Sequence, residues 1–328
     1  MDFAGLAQLL AIGLVAAVAI AAAWTVHRLR RPPRRTSAGA ALRSRPGDPG
    51  ELPDPRPFSA WRLEWEGRSL PVWDIPGDDP RGPVAILTPG WGDSRVGAMA
   101  RFSALLPVCS RLVAWDPPGL GESDPGPWPM GLAEHRALLA LIERVSGPDD
   151  RVALLGWSAG AGTSIVAAAT DSPVRERLAG VIAEAPYRLA HTPARNVMRS
   201  AGMPWLPNGP LAFAWMGWRL GPGPRWRGFD RAAHASRLSC PLLVIHGEAD
   251  EVCPIDDGRA IAQAGRGELH AVPGAGHNDL WTDERWSGAL SERVAAFVRG
   301  LHPINRRNPQ HAEPVLKDAP GQGAQTQA

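Results

Sequence analysis

Along the middle of this chain, short continuous apolar runs alternate with stretches in which apolar residues recur at helical spacing. Trp61 to Trp65 and Leu70 to Ile75 read as an opening hairpin, and Pro83 to Thr88 as a buried strand. Arg111 to Trp115, Arg151 to Leu155, Gly180 to Ala183, Leu242 to Ile245 and Glu268 to Val272 complete a set of eight. Helical patterns fall between them at Val96 to Leu106, Gly131 to Val145, Ala159 to Ala169, Asp257 to Ala264 and Trp286 to Leu301. Such alternation predicts an α/β architecture, a mostly parallel eight-stranded sheet with helices on both faces. Roughly fifty residues, 188–239, separate two consecutive strands where two to six would be usual. With Trp205, Trp215, Trp218 and Trp226 among several prolines, this insertion reads as a small lid with an apolar underside.

The two ends break the pattern. Phe3 to Trp24 carries no charge and only Gln8 as a polar side chain, and as a helix it is about 33 Å long, enough to cross a bilayer. Arg28, Arg30, Arg31, Arg34 and Arg35 follow it, whereas only Asp2 and the amino terminus precede it. The positive-inside tendency then predicts a single-pass anchor with the body of the chain on the cytoplasmic side. A cleaved signal peptide is the rival, since Ala21 to Ala23 offer a small-residue cleavage site, but the start lacks the positive charge such peptides carry. The organisation expected is an anchor over residues 1–27, a Pro- and Arg-rich extended linker over 28–57, a catalytic domain over 58–302 that includes the lid, and a disordered tail over 303–328.

Composition narrows the choice little further. A net charge of +2 with 21% charged residues gives no field that would recruit nucleic acid. Cys109, Cys240 and Cys253 are odd in number and share no metal-ligand spacing, so buried free thiols are expected and neither a disulfide framework nor a zinc site is indicated.

Chemistry enters with Gly156-Trp157-Ser158-Ala159-Gly160. A strand runs into this pentapeptide and a strong helix former leaves it, the setting in which a serine stands on a sharp turn at positive φ. A serine hydroxyl needs a base to take its proton and a carboxylate to orient that base. Asp250 and His277 both lie in loops leaving strand ends on the same edge of the sheet, in the chain order Ser, acid, His. Glu248 and Asp256 are the rival acids, the first within a turn and the second toward a helix start. Of the other histidines, His246 and His270 belong to strands, His191 and His234 to the insertion, and His27 and His311 lie outside the domain. The developing oxyanion would be met by the backbone N–H of Ala159 and by that of Trp91 in the loop Pro89 to Ser94.

These landmarks, together with Asp116-Pro117-Pro118-Gly119-Leu120-Gly121-Glu122-Ser123, Gly247 to Asp250 and Gly274 to His277, resemble the α/β-hydrolase superfamily from about Phe58 to Leu301. The anchor and short lid are most similar to the membrane-anchored Bem46-like and serine-aminopeptidase-like esterases and lipases. The resemblance implies an α/β-hydrolase fold and cofactor-free acyl transfer to water through an acyl-enzyme on Ser158. The expected substrate is a small carboxylic ester with an acyl chain, with an amide or peptide as the enzymatic alternative and a noncatalytic anchored scaffold as the other. The sequence departs from the superfamily at Pro89, where many relatives carry a structural hydrogen-bonding His, so what fixes that loop is left open.

Overall fold

The computed structural model describes residues 2–301; the expected tail from residue 303 lies outside them. Eight strands, β1 (Ser59–Trp65), β2 (Arg68–Pro76), β3 (Val84–Thr88), β4 (Arg111–Trp115), β5 (Val152–Trp157), β6 (Leu178–Glu184), β7 (Leu242–Gly247) and β8 (Glu268–Val272), form one sheet in the order β1-β2-β4-β3-β5-β6-β7-β8. Only β2 runs against its neighbours; every pairing from β4 to β8 is parallel. Each expected strand is present and most are one to three residues longer. The central ones are buried on both faces, which is why they read as unbroken apolar runs rather than as alternation.

Eleven α-helices accompany the sheet among the described residues: α1 (Phe3–Arg30), α2 (Ser37–Ala41), α3 (Arg95–Ala98), α4 (Phe102–Leu105), α5 (Glu134–Val145), α6 (Ala159–Ala169), α7 (His191–Ser200), α8 (Asn208–Leu220), α9 (Arg231–Ala235), α10 (Ile255–Ala264) and α11 (Glu284–Gly300). The pleat divides the core. Ala85, Leu87, Leu155, Ile182 and Leu243 pack with α4 and α11 on one face, while Val84, Ile86, Leu154, Val181 and Val244 pack with α5, α6 and α10 on the other.

Two stretches differ from expectation. The helix expected over Val96 to Leu106 is broken by a tight 3-10 turn at Met99–Arg101, where Arg101 turns inward to bond the Glu184 carboxylate through Nε at 2.9 Å and a terminal nitrogen at 2.6 Å. The segment expected as an extended linker is docked on the domain instead. Ser37 N donates to Glu122 Oε1 at 2.9 Å, Arg34 bonds the Ser123 carbonyl, and Pro32, Ala40 and Pro49 are buried. Arg34 finds its partners in the Asp116 to Ser123 turn and Arg35 pairs with Asp93, so a segment without periodicity is ordered by side-chain contacts.

The insertion supplies α7, α8 and α9, which cap the edge of the sheet where the parallel strands end. Tyr187, Phe213, Met216 and Phe229 make its apolar interior. Arg231 of α9 is wholly buried; its guanidinium lies 4.0 Å from the centroid of the Phe229 ring and bonds the Gly131 carbonyl, fastening the lid to the loop before α5.

The turn between β5 and α6 is packed too closely for side chains at its glycines. A Cβ on Gly160 would stand 2.0 Å from the Thr88 carbonyl oxygen, and one on Gly156 would stand 2.3 Å from the Gly160 carbonyl oxygen. Gly160→Ala is expected to cost about 2–4 kcal/mol of unfolding free energy. On the exposed side of α11, by contrast, a Cβ on Gly288 meets nothing within 4 Å, and Gly288→Ala is expected to stabilise by about 0.5–1 kcal/mol. Denaturant titrations of the two variants, followed by tryptophan fluorescence, measure both.

Candidate functional site

Ser158 stands between β5 and α6 with φ 53° and ψ −116°, a conformation that a residue with a side chain adopts only under constraint. Its N–H donates to the Glu184 carbonyl at 2.8 Å, tying the turn to the end of β6. The amide of Ala159 opens α6, and the first amides of a helix have no partner within it. A site for an anion or a polarised carbonyl oxygen therefore lies directly beside the serine.

Asp250 follows β7 and its side chain is completely buried. Its Oδ1 accepts from the amides of Val252 at 2.9 Å and Cys253 at 2.7 Å, and its Oδ2 accepts from His277 Nδ1 at 2.7 Å. Burial works against charge here. Hydrogen bonds from His246, His277 and the Cys253 amide outweigh it and hold the carboxyl well below the usual carboxylate range. An ionised acid on Nδ1 keeps the proton there and leaves Nε2 of His277 as the basic nitrogen. The rival acids are elsewhere: Glu248 is exposed, and Asp256, 82% exposed, pairs with Arg259 at 2.7 Å.

His246, expected as a packed strand residue, is fully buried on β7 behind this carboxylate. Its Nε2 lies 2.8 Å from the Cys253 carbonyl and 3.4 Å from Asp250 Oδ2. Gly258 of α10 gives it room, since a Cβ there would stand 2.4 Å from His246 Nδ1.

Ser158, Ala159, His277, Trp91 and Gly90 line one cavity of about 240 Å³, whose far wall is apolar: Leu29, Trp128, Met130, Pro193 and Val197. Every candidate residue read from the sequence therefore meets at one place except Asp250, which stands behind His277. A second opening of about 560 Å³ shares Ser158, His277 and Trp91, and is lined by Arg35, Arg45, Asp93, Arg101 and Glu184. The serine thus separates an apolar recess from a charged groove.

Gly90 brings its loop against the serine: a Cβ there would lie 3.1 Å from Ser158 Cβ. With proline at position 89, Asp93 ties the loop down. Its carboxylate accepts from the Trp157 indole N–H at 3.1 Å and the Ser94 amide at 2.9 Å, and pairs with Arg35 at 3.0 Å. The Arg101 guanidinium lies 3.8 Å from the centroid of the Trp157 ring. Asp93, though within the loop Pro89 to Ser94, carried no expected role, and neither Arg101 nor Glu184 was marked, because each acts through a partner far along the chain.

The three cysteines are free, Cys109 and Cys253 buried and Cys240 half-buried. Cys253 neighbours Ser158. Burial, reinforced by the Asp250 carboxylate, raises its thiol well above the ordinary range, so it is neutral and a poor competing nucleophile. Ligand atoms of Asp250, Cys253 and His277 lie within 4.8 Å of one another. A metal could span that distance, yet both carboxylate oxygens already accept hydrogen bonds.

The sequence pattern of the alpha/beta hydrolase family matches residues 85–293. The alpha/beta hydrolase domain-containing protein aho-3 of Caenorhabditis elegans is 29% identical over 191 residues, 56% of this chain and 48% of that protein, so the chain spans about half its relative's length. Among solved structures, the esterase Pf2001 of Pyrococcus furiosus superposes with a TM-score of 0.62 at 18% identity, covering 82% of this chain and 98% of that one. The esterase RhEst1 of Rhodococcus sp. ECU1013 gives 0.55 at 19% identity, over 74% and 99%. Est1E of Butyrivibrio proteoclasticus, with ferulic acid bound, gives 0.57 at 18% identity over the same shares. At these identities the structural likeness establishes the fold, and the match over most of the folded domain establishes the family: the chain belongs to the alpha/beta hydrolases.

Proposed function

We propose that this hydrolase is a membrane-anchored serine esterase that cleaves acyl esters through an acyl-enzyme on Ser158. The observation that carries this reading is the shared cavity of a constrained serine and a histidine whose Nδ1 is held 2.7 Å from a buried, ionised aspartate. In the first step His277 Nε2 takes the hydroxyl proton as Ser158 Oγ bonds to the ester carbonyl carbon. The amides of Ala159 and Trp91 receive the negative oxygen. Collapse breaks the carbon–oxygen bond, and His277 returns the proton to the departing alcohol. Water then repeats the sequence and releases the acid. The apolar recess suits the acyl chain and the charged groove suits the alcohol portion.

The anchor reading rests on α1, whose apolar window has a mean hydropathy of 2.4 and is only 6% buried. The helix continues without a break into turns that bury Thr25 and Leu29 in the domain. By the arginine bias that follows the apolar run, the domain faces the cytoplasm. Protease added to intact cells is expected to spare it and to digest it after lysis.

A fluorophosphonate probe is expected to label the full chain at Ser158. Ser158→Ala should abolish labelling and lower kcat by at least about 10³-fold on a panel of p-nitrophenyl esters. A folded wild-type chain that never labels would refute the mechanism, and faster turnover of aminoacyl amides would refute the ester preference.

Asp250→Asn removes the charge that orients His277 and is expected to lower kcat by about 10³–10⁴-fold. Because the folded-state carboxyl titrates below its unfolded value, the ionised form stabilises the fold above about pH 4, and that stability is lost only as pH falls toward the depressed value. The stability gap between wild type and Asp250→Asn should therefore be full at neutral pH and narrow in acid, as paired denaturant titrations across pH would reveal.

A further inference from the structure

Helix α8 is apolar on two sides. Ala212, Phe213, Met216 and Gly217 are buried inside the lid, Phe213 packing between Trp205 and Trp226. The other side leaves Leu211 at 50%, Trp215 at 48% and Trp218 at 71% exposure, joined by Leu206 at 70% in the loop before the helix. The spacing of four and three residues sets Leu211, Trp215 and Trp218 on one stripe. A contiguous apolar patch of this kind marks a surface that has a partner.

The position of α8 identifies that partner. Its first residue, Asn208, is buried and donates from Nδ2 to Thr25 Oγ1 of α1 at 2.9 Å, and the two helices pack together. Thr25 directly follows Trp24, which is itself 41% exposed and lies one turn before the first arginine, Arg28. Helix α8 therefore begins beside the point where the exposed apolar run of α1 ends, and its far end lies near Arg30, alongside the last turns of α1. Tryptophan side chains favour this boundary, and exposed Arg31 and Arg219 supply the cations that suit a headgroup layer. One turn further along α1, Leu29 lines the cavity at Ser158, and its carbonyl accepts the indole N–H of Trp91 at 2.9 Å. The final turn of the membrane helix is thus a wall of the site.

We infer that the exposed face of α8 is seated in the boundary region of the bilayer beside α1, and that the cavity at Ser158 draws lipid-borne acyl esters directly from that leaflet. The inference rests on the anchor and esterase readings above. Seating α8 buries four large apolar side chains and places the lid at the lipid surface, so an acyl chain can pass from bilayer to recess with little exposure to water.

Two measurements test it on the full chain in phosphatidylcholine vesicles. In a Cys240→Ser background, an NBD fluorophore is attached at Trp218→Cys or, as a reference, at Val15→Cys, and quenched by phospholipids carrying a nitroxide high on the acyl chain or deep within it. Both positions are expected to be quenched, 218 more by the shallow nitroxide and 15 more by the deep one. Quenching at 15 without quenching at 218 overturns the inference and leaves the anchor standing; absence of quenching at both removes the anchor and the inference together. In the second measurement, the double variant Leu211→Glu with Trp218→Glu is expected to hydrolyse an ester dissolved in the vesicles about tenfold or more slowly, while its rate on a water-soluble acetate ester changes less than about twofold. Equal rates on both esters, or equal losses on both, overturn lipid-side access. A wild-type chain inert toward both esters refutes the esterase reading, and the quenching result still decides where α8 lies.

Discussion

A serine does not hold φ 53° and ψ −116° of its own accord. Such a backbone costs on the order of 1–3 kcal/mol, and it persists only where the surroundings leave no alternative. Here the surroundings are β3, β5 and α6, which approach so closely that Gly156 and Gly160 admit no side chain. Every residue of α6 is buried, so relaxing the turn would pull an entire helix out of the core. Burial of α6 therefore offsets the strain at Ser158, and the strain in turn lifts the hydroxyl clear of the strand end and leaves the first amide of the helix beside it.

The same logic governs the supporting loops. Parallel strands end at one edge, so the loops after β3, β5, β7 and β8 converge there whatever their sequence. Convergence alone does not fix a hydrogen bond, and the molecule supplies the missing precision with buried polar contacts. Asp93 binds the loop after β3 to Trp157, Arg101 and Glu184 brace the serine turn from below, and His246 stands behind Asp250. The Asp93 and Arg101 contacts join segments far apart in the chain, whereas His246 braces the turn that leaves its own strand.

This division explains what could be read from the chain. The strands were legible because parallel strands buried on both faces are uniformly apolar, and Ser158, Asp250 and His277 because short Gly-rich turns at strand ends carry them. The parts played by Asp93, Arg101 and Glu184 were not, since Asp93 meets Trp157 and Arg101 meets Glu184 from positions remote in sequence and no spacing announces them; His246 read only as a packed strand residue. Residues 32–57 misled for the opposite reason. Proline and arginine without periodicity read as a spacer, yet Arg34, Arg35 and Ser37 find Ser123, Asp93 and Glu122 waiting on the folded domain. The lid was visible as an excess of chain length; that its α8 would pack on the N-terminal helix was not.

That packing changes what kind of object the N-terminal segment is. A spacer would let the domain tumble above a membrane, with substrate access set by diffusion through water. Instead α1 runs unbroken to Arg30 and buries Leu29 beside the candidate site, and the following residues are pinned through Arg34, Arg35 and Ser37. Helix, lid and Trp91 loop share contacts: Thr25 with Asn208, and Leu29 with Trp91. A displacement of α1 must then be felt by the loop that would hold the oxyanion, because the indole of Trp91 cannot keep its bond to Leu29 if the helix moves alone. The apolar helix is part of the architecture of the site, and the orientation of the cavity is set by the orientation of that helix.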